Sequence, residues 1–534
     1  MGHMKAPTAI LAALILAAPA GAQKFYPDDP LLKEPAPRQA GSVEASSISD
    51  IYDLFRNTLS SPGERQPGSG PKIEARGINT LGDPMDTAWW ERRHYWKPLT
   101  PEQLLRGPDG TQAPSMTGKW EVTAGRNGSD AIGFAIRDSA GNVYLIKLDP
   151  SDHPELCTAA DQISSRIYHA LGYHVPDNYL VEFDRSMLRV APDARVSDGI
   201  GNARRMVGAD LTSILRRAAR LESGRYRATA SRALPGKMIG SFSFNGTRSD
   251  DVNDTIPHEH RRDLRGLRLA AAWIDHDAAR SVNTMDALVE EKGLNFVRHY
   301  QSDFDATLGA GSYRPNNPRS DGEYLFTWRN ATLQFLTFGA YVPPWALSKY
   351  PDIPSIGRFG SERFQPDRWV PEYPNPAFVN ALPDDDFWIA RQIMSITDDD
   401  LQVIVSAARY SDPGAPMYVA ECLARRRDKI GRYAFARVLP LDRFMVQSSR
   451  LVWQDLSAQY GFGGSGPIKV EWFDFNNATG AATPLPGATG TWIPSADGPY
   501  LLARLTQMNA PSHVVSVYIR RSGASTEIVG VERK

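Results

Sequence analysis

The sequence predicts an α+β protein built from more than one folding unit, and three features carry this. Short apolar strands and one helix with a single apolar face alternate between residues 119 and 183. Helical periodicity dominates residues 385–440. Residues 441–534 alternate apolar and polar positions, as in IKVEWFDF and VVSVYIRR. The 534 residues also exceed the ~150 of a typical domain more than threefold.

Composition narrows the class without naming a chemistry. Apolar residues at 42% and charged residues at 23% are an ordinary globular mix, which excludes wholesale disorder, a coiled-coil rod and collagen. With 60 basic and 61 acidic side chains, no net field draws the chain to nucleic acid or an acidic membrane. Two cysteines, Cys157 and Cys422, exclude a disulfide scaffold and any zinc site with more than two thiolates. They could pair only if the fold brings them together.

The first residues read as an address. Lys5 precedes the apolar run Ala6 to Ala20, and Ala20-Gly21-Ala22 places small residues at a cleavage site before Gln23. This predicts a signal peptide over residues 1–22 and an exported chain of the periplasm or cell envelope. No later stretch of 18 apolar residues predicts a transmembrane segment. Residues 23–112 form a Pro-rich extension, with one short helix near Ser49 to Leu59. Its aromatic patch of Trp89, Trp90, Tyr95 and Trp96 should pack on the main body.

Residues 113–245 read as a mostly β unit. Strands are expected at Lys119–Thr123, Ala131–Arg137, Asn142–Leu148 and Asn178–Phe183. A helix over Asp152–Leu171 carries Ala160, Ile163, Ile167 and Leu171 on one face. Residues 246–440 read as mostly helical, opening with a helix at His260–Ile274. A polar stretch, Asp275 to Asn283, follows, and then a hairpin turning at Lys292-Gly293. Residues 441–534 read as a small all-β domain.

Several residues stand out chemically. Lys147 lies mid-strand between Ile146 and Leu148, where a desolvated ammonium needs counter-charge. Glu155, on the first turn of the next helix, is the favoured partner, and Asp161 is a second candidate. Asp152 to Glu155 also fits a capping box, which competes for Glu155. Gly125 and Gly128, with Gly133 downstream, could let backbone amides approach phosphates. Asp303-Phe304-Asp305 follows the hairpin.

The order of these features resembles the protein-kinase-like fold, in its divergent HipA-type, spore-coat CotH and secretory-pathway casein kinase branches. The resemblance spans roughly residues 115–310, with the helices to about 440 completing a large lobe. It implies a two-lobed body in which Lys147 and Glu155 position ATP, with Gly125 and Gly128 at its phosphates. Asn283, Asp303 and Asp305 would hold Mg or Mn, and Asp277 would accept the proton of the acceptor hydroxyl. Two departures are visible. Asp275-His276-Asp277 stands where the family has His-Arg-Asp, and Asp277 lies six positions before Asn283 rather than five, so the base is open between Asp275 and Asp277. The acceptor, a protein or a small molecule, is not specified.

Two other readings compete. One is a non-catalytic, pseudokinase-like envelope binding protein, which suits a compartment poor in ATP. The other is a metal-dependent hydrolase built on Asp250, Asp251, Asp254, His258, Glu259 and His260, joined by His276 or Asp277. The histidine spacing there is not the HExxH pattern.

Overall fold

The computed structural model describes residues 23–108, 112–126, 131–197, 202–320, 322–326, 332, 335–337, 344–523 and 525–534. The expected signal peptide, residues 1–22, lies outside them, as does Gly128. The architecture is α+β: a two-lobed body followed by an all-β C-terminal unit.

The first lobe is a seven-stranded sheet in the order β4-β7-β3-β2-β1-β5-β6. Its strands are β1 (Trp120–Arg126), β2 (Ile132–Arg137), β3 (Val143–Leu148), β4 (Asn178–Phe183), β5 (Leu188–Ser197), β6 (Ala203–Arg205) and β7 (Tyr226–Arg232). Strict alternation in β2 and β3 sends Ile132, Phe134, Ile136, Tyr144, Ile146 and Leu148 to one face. That face forms a core closed by Leu211, Ile214 and Leu215 of a short helix at Gly208–Arg216. Lys147 therefore points to the opposite face, where the second lobe lies.

The predicted helix after β3 runs from Leu156 to Ala170 (here α3, after α1 at Asp50–Phe55 and α2 at Pro101–Arg106). Its N-terminus is not capped by Asp152. Asp149 instead accepts N–H bonds from Cys157 and Thr158, both at 2.8 Å, and the Thr158 hydroxyl at 2.7 Å. Ile163, Ile167 and Tyr168 of α3 enter the core of the helical lobe. There they join Leu264, Leu267 and Ile274 of the Arg262–Ile274 helix and residues of the helices at Pro383–Ser395, Asp398–Ser406 and Gly414–Phe435. Trp89 and Trp90 of the extension belong to this same core. Trp90 is fully buried, donates its indole N–H to the Leu171 carbonyl at 2.7 Å and meets Trp388 edge-on.

The hairpin forms as β9 (Thr284–Glu291) and β10 (Leu294–Gln301), turning at Lys292-Gly293, both at positive φ. The strand β8 (Lys237–Gly240) pairs with β9 rather than with the first-lobe sheet. The C-terminal unit has a two-stranded ladder, β11 (Leu441–Gln447) with β12 (Arg450–Asp455). It also has a five-stranded antiparallel sheet in the order β14-β13-β15-β16-β17, over Ile468–Phe475, Ala482–Thr489, Tyr500–Gln507, Val514–Ser522 and Ser525–Arg533. Cys157 and Cys422 are both buried and both free, so no disulfide links them. Among the described residues no helix is long and apolar enough to cross a membrane.

One buried ion network ties the C-terminal unit to the body. Arg391, on the Pro383–Ser395 helix, donates to Asp442 of β11 at 2.8 Å and also to Asp83 of the extension. Burial opposes the Arg391 charge, but Asp442 and Asp83 hold it firmly protonated, and Arg391 in turn lowers the Asp442 carboxyl against burial. Removing one member of such a network strands its buried partners. Arg391→Met should lose about 3–5 kcal/mol in urea unfolding. A loss below about 1 kcal/mol would show that packing alone holds the tail.

Candidate functional site

Lys147 lies near the middle of the sheet, opposite Gly133 of β2 and Thr229 of β7. Its side chain is only 12% exposed, and Nζ meets three carboxylates: Asp303 at 2.7 Å, Asp305 at 3.4 Å and Asp161 at 3.6 Å. Burial alone would lower the pKa of this amine. The three aspartates outweigh it and push the ammonium well above the usual lysine range. The partners respond differently. Burial raises Asp161 to about 6 despite Lys147, and burial with Asp303 beside it raises Asp305 far above the carboxylate range. Asp303, whose side chain is 44% exposed, is held well below that range because Lys147 prevails over burial.

Glu155 does not pair with Lys147. It occupies a left-handed position (φ 68°) at the start of α3, lies 3.4 Å from an Arg227 nitrogen and accepts the Ser411 N–H at 2.9 Å. That turn directs the carboxylate toward Arg227 and away from the ammonium. Asp161 takes the place expected of Glu155. It is the only carboxylate within α3, and both its oxygens are buried without a hydrogen-bond donor. A lone acid inside a wholly buried helix was the sequence signal for it.

The loop after the Arg262–Ile274 helix separates Asp275 from Asp277. Asp275 ends the helix at φ 52° and accepts the Trp369 indole N–H at 3.1 Å. Asp277 lines an open cleft of about 580 Å³. Burial, then Asp275 and Glu372, push the Asp277 carboxyl well above its usual range. His276, between them, is held neutral: burial lowers it to about 4 although Asp303 works the other way. Its ring packs 5.8 Å from both Tyr168 and Phe304, and those two rings lie 5.1 Å apart. This trio joins α3, the Asp277 loop and the Asp303–Asp305 segment.

Asn283 donates its amide to the Ala278 carbonyl at 2.8 Å, closing the loop. Its own carbonyl accepts from the Ser302 N–H and hydroxyl, next to Asp303. Asp303 itself sits at φ 65°, a left-handed conformation costing a non-glycine residue ~1–3 kcal/mol. Among the described residues no three His, Cys, Asp or Glu side chains form a ready metal site. Asp161, Asp303 and Asp305 face the ammonium instead. The donor chemistry still suits a hard cation: carboxylate oxygens, with the Asp303 side chain partly exposed, beside an amide-bearing residue.

Gly125 lies within a strand rather than in a loop. It sits inside β1, paired with Phe134 on one side and Val196 on the other. A Cβ there would meet Ile214 and Met206 at 3.0–3.1 Å, so its missing side chain serves packing. Arg126, one residue on, does reach the cleft, together with Arg280, Arg314 and Arg319 from the second lobe. Sequence reasoning missed these arginines. Arg280 is committed to Glu372 and, at 3.4 Å, to Asp50 of the extension.

The acidic and histidine cluster of residues 250–263 is closed pairwise. His258 meets Asp254 at 2.8 Å and the Ser243 carbonyl, and His260 meets Glu64 at 2.9 Å and Arg265 at 2.8 Å. Glu259 accepts the N–H groups of Glu64 and Gly246. Both nitrogens of each imidazole thus have a protein partner in this arrangement.

No family model matches the chain, and no curated protein matches it. Among solved structures, the Helicobacter pylori proinflammatory kinase CtkA is 8% identical. The match covers 57% of this chain and 94% of that one at a TM-score of 0.29. The Golgi casein kinase with Mn and ADP bound is also 8% identical, covering 60% of this chain and 72% of that one at a TM-score of 0.30.

Lys147 gives the first test of the site's charge balance. Lys147→Met leaves buried carboxylates facing one another without a cation. Stability at pH 7 should fall by about 3 kcal/mol, the low end for a broken buried pair because Asp303 is partly open to water. In the variant the folded-state carboxyl pKa values lie above the unfolded ones, so protonation favours the fold and the deficit shrinks as pH falls from 7 toward 4.5. In the wild type the depressed Asp303 contributes stability above the ordinary carboxylate pKa that is lost on acidification. Urea unfolding at both pH values reads this, and a deficit that stays constant would contradict the arrangement.

Proposed function

We propose that this chain is an exported kinase-like phosphotransferase that takes ATP and Mg or Mn in the cleft between its lobes. The observation that supports it best is the contact of Lys147, from the first-lobe sheet, with Asp303 and Asp305 of the second lobe, beside a cleft walled by Asp277. Lys147 would bind nucleotide phosphate oxygens, and its carboxylate partners hold the amine charged and aimed. Asp303 and Asn283 would hold the cation, which supplies neutralisation of phosphate charge when bound. Arg126, Arg314 and Arg319 give the cleft further positive charge for the same phosphates.

Asp277 would take the proton of the acceptor hydroxyl as that oxygen bonds to the terminal phosphorus. The bond from that phosphorus to the bridging oxygen breaks, and ADP leaves with the electron pair. Positioning and charge neutralisation carry most of the rate in such a reaction. Burial, then Asp275 and Glu372, raise the Asp277 carboxyl, so the ionised base grows as pH rises.

The test has two arms. ATP with Mn²⁺ should raise the melting temperature of the wild type and not of Asp303→Asn. Transfer of labelled phosphate to the protein or to added acceptors should increase from pH 7 to pH 9, and Asp277→Asn should lower it 10²–10⁴-fold. A melting shift without any transfer would leave a binding protein, and no shift at all would end the nucleotide reading.

A further inference from the structure

A second cavity, of about 600 Å³, opens in the helical lobe beside the Asp277 cleft, and Glu323 lines both. Trp369 also borders it and donates its indole N–H to Asp275, two residues before Asp277. The cavity thus adjoins the loop that carries the proposed base.

Its wall combines rings and cations. Trp345 and Tyr350 are half-buried in it, and each lies against a glycine. A Cβ at Gly322 would stand 3.2 Å from Trp345 Cδ1, and one at Gly360 would stand 3.6 Å from Tyr350 Cε1. Both rings border the cavity on their remaining sides. The Trp345 indole N–H is directed to Glu323 at 2.5 Å, so the ring offers the cavity a face without a polar atom. Lys349, Arg363 and Arg368 line the same space, are exposed and make no ion pair among the described residues. The lining acids are answered: Glu323 by Trp345, Glu421 by Arg425, and Glu362 by the nearby Lys429.

We propose that this cavity binds a carboxylate-bearing sugar unit, and that this is the acceptor of the transfer proposed above, on which the word acceptor rests. The volume holds one or two ring units. The ring faces provide apolar platforms for a sugar ring, and the guanidinium groups of Arg363 and Arg368 match a carboxylate bidentately. Glu323 is shared with the Asp277 cleft, so a hydroxyl placed beside it would face that cleft.

Calorimetry of the purified full chain with tetragalacturonate tests the site, with cellotetraose as neutral control and AMP as a ring-bearing anion of another class. Tetragalacturonate should bind at least tenfold more tightly than either. Arg363→Glu with Arg368→Glu, and separately Trp345→Ala, should each weaken it at least tenfold. Asp303→Asn should leave it unchanged. The arginine variant changes exposed side chains, so it remains informative if Trp345→Ala does not fold. Equal binding of cellotetraose, preference for AMP or no binding of tetragalacturonate would overturn the site. Binding with these variant effects, but without phosphate transfer, would sink the phosphotransferase reading while leaving the site standing.

Discussion

The two lobes meet at one ammonium surrounded by three carboxylates. A lysine placed mid-sheet on the face away from the first-lobe core has to be charged and paired or else neutral. The second lobe supplies Asp303 and Asp305, and α3 supplies Asp161. Three acids for one base leave an excess of negative charge. The excess appears as the raised Asp161 and Asp305 carboxyls, while Asp303 alone is held firmly ionised. The cluster is therefore stable only with protons, or other cations, sharing the space. Its exposed member is the one fully charged, which is where an incoming cation would find an anionic oxygen.

The surrounding structure holds that member in place at a cost. Asp303 and Asp275 both take left-handed backbone conformations, and each is fixed by partners from elsewhere in the chain. Ser302 is bonded to the Asn283 carbonyl, and Asp275 to Trp369. Phe304 is packed against Tyr168 and His276, so α3, the Asp277 loop and the acidic segment share one packed contact. Strain of this kind persists only where packing over-determines it. The trio thus links the position of Asp161 on α3 to that of Asp303 without any direct bond between them.

How much of this was legible in the sequence depends on the range of the interaction. Lys147 and Asp303 stood out because a lysine in an apolar strand and an acidic triplet after a hairpin are local anomalies, visible without knowing the fold. The β3 strand, α3 and the hairpin were legible from periodicity, and the aromatic patch at Trp89-Trp90 from its need for burial. Glu155 misled because its conformation is decided by a cap four bonds of logic away. Asp149 takes the helix N–H groups, and the turn that follows rotates Glu155 toward Arg227. Gly125 misled because a glycine inside a strand and one in a loop read alike until Ile214 and Met206 arrive to fill its missing side chain. The arginines of the cleft come from three separate segments, around Arg126, Arg280 and Arg314–Arg319, and nothing in the order of residues joins those segments.

Charge also explains why Asp277 and those arginines belong together. A cleft with several guanidinium groups and an ionised aspartate would largely neutralise itself. Burial, then Asp275 and Glu372, raise the Asp277 carboxyl, which weakens its tendency to cancel the guanidinium charge. Glu372 in turn is occupied by Arg280, and Asp50 of the N-terminal extension closes the same arginine from the other side. Arg126, Arg314 and Arg319 make no ion pair among the described residues, so they face the cleft with their charge available. Extension, loop and cleft are in this sense one electrostatic unit, and the segment around Asp50 is part of the site although it lies more than two hundred residues from Asp277 in the sequence.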